Sequence, residues 1–347
     1  MPDLVLVTGN LGYIGPILVK KLKDDGYMVH GLDTDYFDNY NALDEEFRPH
    51  KQIKKDIRLV DETDLNGVSA VIHLAGLSND PIGDLDFNLT YSINYEASVK
   101  LFDLCKKSHV QRFIFSSSCS IYGASSGSEV GLTEEARLNP VSAYAYSKVF
   151  FEKYIHQQAA NGMCVTSMRN ATIYGYSPTM RFDLVLNDFV ARAVLSDNIQ
   201  ILSDGSPLRP MLNVEDFSRA AIFLLKCDKN IVAGKYLNIG ANQHNFSVLE
   251  LATLVKKFIG EGVSVSVNPS AQPDTRSYKV DFSALKNLAG GQLEFVELDS
   301  GLKDIKEWLL KNAYALDDLF GDKFIRLKKL ETLREMDLLD ADLMWVE

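Results

Sequence analysis

The stretch VTGNLGYIG, residues 7–15, sets Gly9, Gly12 and Gly15 at three-residue intervals between an apolar run, LVLVT, and the start of a helical pattern. Glycines there let the backbone approach a diphosphate closely, and the free N–H groups of a helix N-terminus answer its negative charge. The spacing alone is weak, because glycines also mark ordinary turns. Its strand–turn–helix setting makes it the phosphate-binding turn of a dinucleotide fold. The whole turn, Gly9, Asn10, Leu11, Gly12, Tyr13, Ile14 and Gly15, is the candidate cofactor cradle. The next apolar run, MVHGLD, ends in Asp33, roughly twenty residues past the glycines, where a carboxylate binds the adenosine ribose diol. That carboxylate would repel a 2′-phosphate, and neither Thr34 nor Asp35 offers an arginine in its place. NAD is therefore expected over NADP.

Working outward, short β-branched runs alternate with helical patterns. LVLVTG (4–9), MVHGLD (28–33), SAVIHLAG (69–76), RFIFSSS (112–118) and CVTSMRNATIYG (164–175) read as strands, with helices near 12–26, 88–107 and 143–160. Near-continuous apolar strands in such alternation predict an α/β fold with a parallel sheet covered on both faces. A further short strand, KQIKKDI, brings Asp56 and Ile57 to the adenine side, and HLAG brings Leu74, Ala75 and Gly76 to the same groove. His73 reads as a strand-end histidine held by neighbours before it reads as a metal ligand. Asn94, polar within a helical stretch, is either buried to hold that helix beside the cofactor or exposed on the surface.

Past residue 176 the alternation weakens, and the loops SPTMRFD, SDGSPLRP and NPSAQPDTRS join shorter elements. The expected organisation is a nucleotide-binding unit over 1–176 and about 210–242, braided with a smaller substrate unit over about 177–209 and 243–347. The last 35 residues are charged and helical in pattern, as an amphipathic segment lying on the body or on a neighbouring subunit would be.

Composition narrows the partners. The chain has 347 residues, 46% of them hydrophobic, and a net charge of −11, which offers no basic stripe for a nucleic-acid backbone. An anionic small molecule is still compatible, because local arginines decide a single site. Four scattered cysteines without a CxxC pair argue against a zinc site and a disulfide framework. The N-terminal apolar run is too short for a signal peptide or a membrane span, so a reduced, cytoplasmic setting is expected.

Among fifteen tyrosines, Tyr144 heads the Tyr-x-x-x-Lys in VSAYAYSKVFFEKY, with Lys148 four residues on. On a helix these positions share a face, so phenol and ammonium can converge. A tyrosine with an ordinary pKa near 10 is a poor base at neutral pH, and a nearby cation favours its phenolate. Such a pair can take a proton from an alcohol while hydride leaves the same carbon for nicotinamide.

TGNLGYIG, HLAG, FSSSCSIYG, YAYSK and RPMLNVEDFSRA, in this order, resemble the extended short-chain dehydrogenase/reductase superfamily, in particular its NAD-dependent nucleotide-sugar epimerase/dehydratase branch. The resemblance runs from residue 3 to about residue 285 and leaves the tail uncovered. It implies a Rossmann-type doubly wound sheet with a smaller, interleaved C-terminal substrate domain, and a dimer through the helices at 88–107 and 143–160. It also implies Tyr144 as acid/base, Lys148 on the nicotinamide ribose, and Ser118 on the reacting hydroxyl, with Ser116 near the cofactor. Asn187, Arg209 and Arg276 fall where the branch holds the substrate diphosphate. Ser118, Cys119, Ser120 and Asn170 are expected along the sugar, and SNDP (78–81) and SPTMRFD (177–183), with Arg181, around it.

Within the branch, 4,6-dehydratases follow this Ser/Thr with an Asp-Glu pair, and decarboxylating relatives carry a Glu. Here those positions hold Cys119 and Ser120, which disfavours elimination and decarboxylation. GDP-fucose synthases pair a cysteine with a histidine and use NADPH. Here the cysteine is out of register by one position, NATIYGYSPTMRFD has no histidine, and Asp33 opposes NADPH. The remaining expectation is 4-epimerisation of a nucleotide sugar through a transient 4-keto sugar. A 4-dehydrogenase that releases the ketone shares every one of these residues. A 4-keto-sugar reductase and a non-catalytic NAD-binding protein are more distant alternatives.

Overall fold

The computed structural model describes residues 3–78, 80–83, 86–124, 131–158, 162–268 and 276–346. Its main sheet has seven parallel strands, β1 (Leu4–Thr8), β2 (Met28–Asp33), β3 (Lys51–Lys54), β4 (Ala70–His73), β5 (Arg112–Ser118), β6 (Cys164–Asn170) and β10 (Lys235–Ile239), in the order β3-β2-β1-β4-β5-β6-β10. The direction of chain travel reverses between β1 and β4, so a crevice opens outside their C-terminal ends, the usual ligand site of such sheets. Strand alternation divides the core. Val5, Val7, Val29, Ile72 and Ile114 face Leu18, Leu22 and Phe217 on one side. Leu6, Leu32, Val71, Phe113 and Phe115 face Leu101, Phe102 and Phe151 on the other. Both faces are therefore dry, as the near-continuous apolar strands require.

The first helix spans Gly15–Asp24 and starts later than residue 12, because the glycine turn occupies 9–14 and Pro16 presets the first helical φ. The helix expected at 88–107 is composite: Phe87–Tyr91, one wide turn at Ser92–Glu96 with i→i+5 bonding, then Ala97–Lys107. The third runs Ala143–Gln158.

CVTSMRNATIYG is two strands, not one. After Asn170 the chain leaves the main sheet, and β7 (Thr172–Tyr174) pairs parallel with β9 (Leu208–Asn213), itself antiparallel to β11 (Asn245–Ser247). A parallel pair of β8 (Asn198–Ile201) and β12 (Ser264–Val267) completes the smaller region. Its core joins Phe182, Leu186 and Phe189 to Leu251, Leu302 and Ile305. The helix Val214–Lys226, capped by the Asn213 side chain on Glu215 N, and β10 return to the main sheet from within this region.

The tail departs from its expected place in the substrate unit. Leu330, Leu333, Leu339 and Leu343 join the core formed by Leu6, Leu32 and Ile57, so residues 326–346 lie on the nucleotide-binding layer. The helix Arg326–Glu335 contributes Leu330 and Leu333, and the segment after it contributes Leu339 and Leu343.

Candidate active site

A cleft of about 440 Å³ runs along the C-terminal ends of β2, β1, β4 and β5 and on to the smaller region. At its floor lie Gly9, Gly12, Tyr13 and Ile14. Gly9 has φ +72°, and a Cβ there would stand 2.7 Å from Ala75 N, so only glycine lets the turn sit against the β4 end.

The remaining members of the turn act beneath the cleft. Asn10 is fully buried and exchanges hydrogen bonds with Gln52, its amide lying where a Cβ at Gly31 would go. The Leu11 side chain fills a small core with Ile17, Leu43, Phe47 and Val214, while its N–H donates to Asp33 Oδ2 at 3.0 Å. A Cβ at Gly15 would collide with the Asn10 backbone. These three shape the cradle without lining it.

At the end expected to take adenosine, Asp33 lines the cleft and accepts the N–H groups of Leu11 and Asp35. Burial nevertheless pushes its carboxyl up to about 6, with those two N–H groups opposing the shift. Asp56 and Ile57 also line it, Asp56 held by two 2.9 Å bonds from the Arg58 guanidinium. Leu74, Ala75 and Gly76 form the wall at the end of β4. His73, just before them, is fully buried, with Nδ1 2.7 Å from Thr8 Oγ1 and Nε2 2.8 Å from Ser98 Oγ. Burial, then the Lys148 charge, lowers its pKa to about 3, as suits a neutral structural histidine. Asn94 is buried as well, in the wide helical turn: Oδ1 accepts from Leu77 N, and Nδ2 donates to Leu77 O and Ser147 Oγ. It braces the β4 loop against the Tyr144 helix and does not reach the cleft.

The other end gathers Ser116, Ser117, Ser118, Ser120, Tyr144 and Asn170. Lys148 stands one layer behind them. Its Nζ donates to Ser116 O at 2.8 Å and lies 5.5 Å from the Tyr144 ring centroid. Burial brings its ammonium down to about 8, against the opposing pull of Glu152. Ser118 Oγ accepts from Ser120 N at 3.1 Å, and Asn170 Nδ2 ties Ser116 Oγ to Ser117 O. Ser117 Oγ, Ser120 Oγ and Asn170 Oδ1 are buried and have no partner among the described residues. Buried polar atoms are rarely left so, and three on one wall mark the place of an absent hydrogen-bonding group.

Two predicted sugar or diphosphate contacts are corrected. Cys119 is 1% exposed, its thiol turned away to Arg169 O at 3.2 Å and its pKa driven well up by burial. The short helical turn Cys119–Tyr122, capped by Ser118, rotates this position into the core. Asn187 is 0% exposed and already saturated: Oδ1 accepts from Gly175 N, and Nδ2 donates to Tyr13 OH and Arg181 O. It knits the glycine turn to the smaller region.

Arg181, Arg209 and Arg276 do reach the cleft. Arg181 makes a two-pronged pair with Asp183 and donates to Ser78 Oγ at 2.8 Å. Arg209 donates to Leu208 O and Arg276 O across the cleft wall. Asn79 of SNDP and residues 269–275 of the NPSAQPDTRS loop lie outside the described residues. The sequence reading missed Tyr36, Phe37, Arg326 and Leu330, which also line the cleft. Asp183, the last residue of SPTMRFD, lines it as expected. Arg326 was out of reach, because no motif links residue 326 to the groove.

The residues fit a dinucleotide: a Cβ-free turn for a diphosphate, an acid for a ribose, and unpartnered polar atoms beside a tyrosine. Such a cleft suits an enzyme that moves a proton and a hydride at one carbon. The model of the NAD dependent epimerase/dehydratase family matches residues 5–240, and the chain belongs to this family. Its relatives include a putative UDP-glucose 4-epimerase of Methanocaldococcus jannaschii, 27% identical over 319 residues, covering 89% of this chain and 99% of the other. Similar solved structures include UDP-glucuronic acid 4-epimerase from Bacillus cereus with UDP-glucuronic acid and NAD (25% identity, TM-score 0.76, 90% and 100% covered). The UDP-glucose 4-epimerase of Thermotoga maritima with UDP-glucose is similarly close (25%, TM-score 0.74, 90% and 100%).

Proposed function

We propose that the chain is an NAD-dependent 4-epimerase of nucleotide sugars, with UDP-hexoses and UDP-hexuronates the first substrates to try. In this reading Tyr144 takes the proton of the sugar C4 hydroxyl and later returns it. The Lys148 cation favours the Tyr144 phenolate, and Ser118 positions the hydroxyl. NAD, when bound, supplies the hydride acceptor and donor. Arg209 and Arg276 offer charge to the substrate diphosphate.

The observation that carries this reading is where the cleft keeps its carboxylates. Asp33 and Asp56 sit at the adenosine end, and Asp183 is bound to Arg181. Among the described residues, the wall beside Tyr144 is built of hydroxyls and amides, with no acid placed to eliminate water.

The reading extends to a homodimer. Phe87, Tyr91, Tyr95, Tyr146 and Phe150 form a connected aromatic stripe on the two helical stretches expected to pair, with Phe87 and Tyr146 exposed. It extends also to a cytoplasmic setting; no helix among the described residues is long and apolar enough to cross a membrane.

The test is incubation with UDP-, dTDP-, GDP- and CDP-hexoses, UDP-hexuronates included, without added NAD, followed by NMR of the products. A C4 epimer is expected. Accumulating NADH absorbance with a free keto sugar would replace the epimerase with a 4-dehydrogenase, and no turnover on any substrate would sink both.

A further inference from the structure

The tail crosses the adenosine end of the cleft and is fastened there at several points. Tyr36 OH donates to Leu343 O at 2.6 Å, Trp345 Nε1 donates to Thr34 O at 2.9 Å, and Arg58 Nη1 donates to Asp342 O at 2.8 Å. The Trp345 ring lies 5.9 Å from that of Tyr36, and Lys54 Nζ lies 5.4 Å over it. Every fastening residue on the body belongs to 34–58, the stretch that carries Asp56 and begins beside Asp33. The strap is anchored to the walls of the adenosine pocket.

At the strap's inner end Arg326 lines the cleft and is 3% exposed. Its guanidinium lies 3.9 Å from the Phe37 ring centroid, and its one hydrogen bond among the described residues is a long one, 3.4 Å to Thr179 O. Thr179 in turn donates to Gly12 O at 2.9 Å, so a single residue links Arg326 to the glycine turn. Among the described residues no carboxylate lies within 4 Å of it. Asp33 and Asp183 act on it from further off, while burial and the like charge of Arg181 disfavour its cation. A guanidinium has five N–H donors in a fixed fork and keeps its charge, so a buried one with a single weak acceptor lacks an anion. The anionic part of a dinucleotide lying on the glycine turn is its diphosphate.

We propose that residues 326–346 are a strap that holds the cofactor, with Arg326 as its ligand to the NAD diphosphate, so that the dinucleotide leaves only when the strap lifts. The glycine turn receives the diphosphate on one side and Arg326 on the other. The strap rests on the NAD reading of the cleft and not on the 4-epimerase reading.

The test uses the full-length protein without sugar nucleotide, measuring NAD content after purification, NAD affinity by calorimetry and NAD release by stopped-flow trapping. Arg326→Gln is expected to weaken NAD ten- to a hundredfold, the usual loss for a charge-assisted contact, while leaving adenosine, which has no phosphate, within twofold. Trp345→Ala is expected to speed NAD release at least tenfold by loosening the far end. Unchanged NAD affinity in Arg326→Gln together with unchanged release in Trp345→Ala overturns the proposal. So does weakened binding of UDP with NAD untouched, which would give Arg326 to the substrate diphosphate. Thermal melts of the NAD-free variants show that they fold, and Arg326→Lys, which keeps the charge, should recover part of the affinity. Wild-type protein that binds NAD in this way but epimerises nothing would remove the proposed function and leave the strap standing.

Discussion

The two ends of the cleft are finished differently. At the adenosine end nearly every polar group already has a protein partner: Asp33 holds two N–H groups, Asp56 holds Arg58, and the tail is bonded to Thr34 and Tyr36. At the Tyr144 end, Ser117, Ser120 and Asn170 keep buried atoms with none among the described residues. A wall whose polar groups are satisfied in advance is rigid and suits a resident ligand. A wall with unmet hydrogen bonds suits a ligand that arrives and leaves.

The sharpest way to break that contrast is Tyr144→Phe. With the proposed acid/base gone and the adenosine end intact, turnover by NMR should fall about 10²- to 10⁴-fold while NAD content stays at the wild-type level. Parallel loss of NAD would merge the two ends into one.

Lys148→Met should come next, with turnover lowered about 10²-fold or more for want of the cation beside Tyr144. It carries a second signature. Because the folded pKa is depressed to about 8, the unfolded chain binds the extra proton between there and the ordinary lysine value of 10.5. Wild-type stability should therefore gain a rising component across that window, and urea melts of Lys148→Met should lack it.

A smaller effect is expected at the other end. With the ribose diol on the Asp33 carboxylate, as proposed, wild-type NAD affinity should decline as pH falls through about 6, where burial has placed its pKa. Asp33→Asn should bind NAD about tenfold more weakly at pH 7.5 and show a flat profile by calorimetry from pH 5 to 8. Smallest of all is Cys119→Ser. Its thiol faces Arg169 O and not the cleft, so turnover should stay within about twofold, and a larger loss would return Cys119 to the sugar side.

Much of this site was legible in the sequence because its chemistry lies in local motifs. A glycine turn, an acid at a strand end and an i, i+4 Tyr–Lys pair each fix their geometry within a few residues. The failures share a physical cause. Cys119 and Asn187 lie near residues that line the cleft, but the direction of a side chain at a strand-to-turn junction or on a packed helix is set by what it meets across space. Cys119 met Arg169 O, and Asn187 met Gly175, Tyr13 and Arg181. The break after Asn170 was hidden in one unbroken β-branched run, because which sheet a strand joins depends on its partner, here β9. The tail was the least legible, since its helical pattern says that one face is covered but not by what.

The return of the chain at Lys235–Ile239 governs how this molecule can be divided. β10 closes the main sheet against β6, pairing Lys235 to Ile239 with Thr166 to Asn170. A fragment ending near residue 176 would leave β6 as a bare parallel edge, with a row of unmet backbone groups open to any other strand. Exchanging substrate regions with a relative therefore takes two junctions on each side of the braid, because a single cut separates β10 from β6.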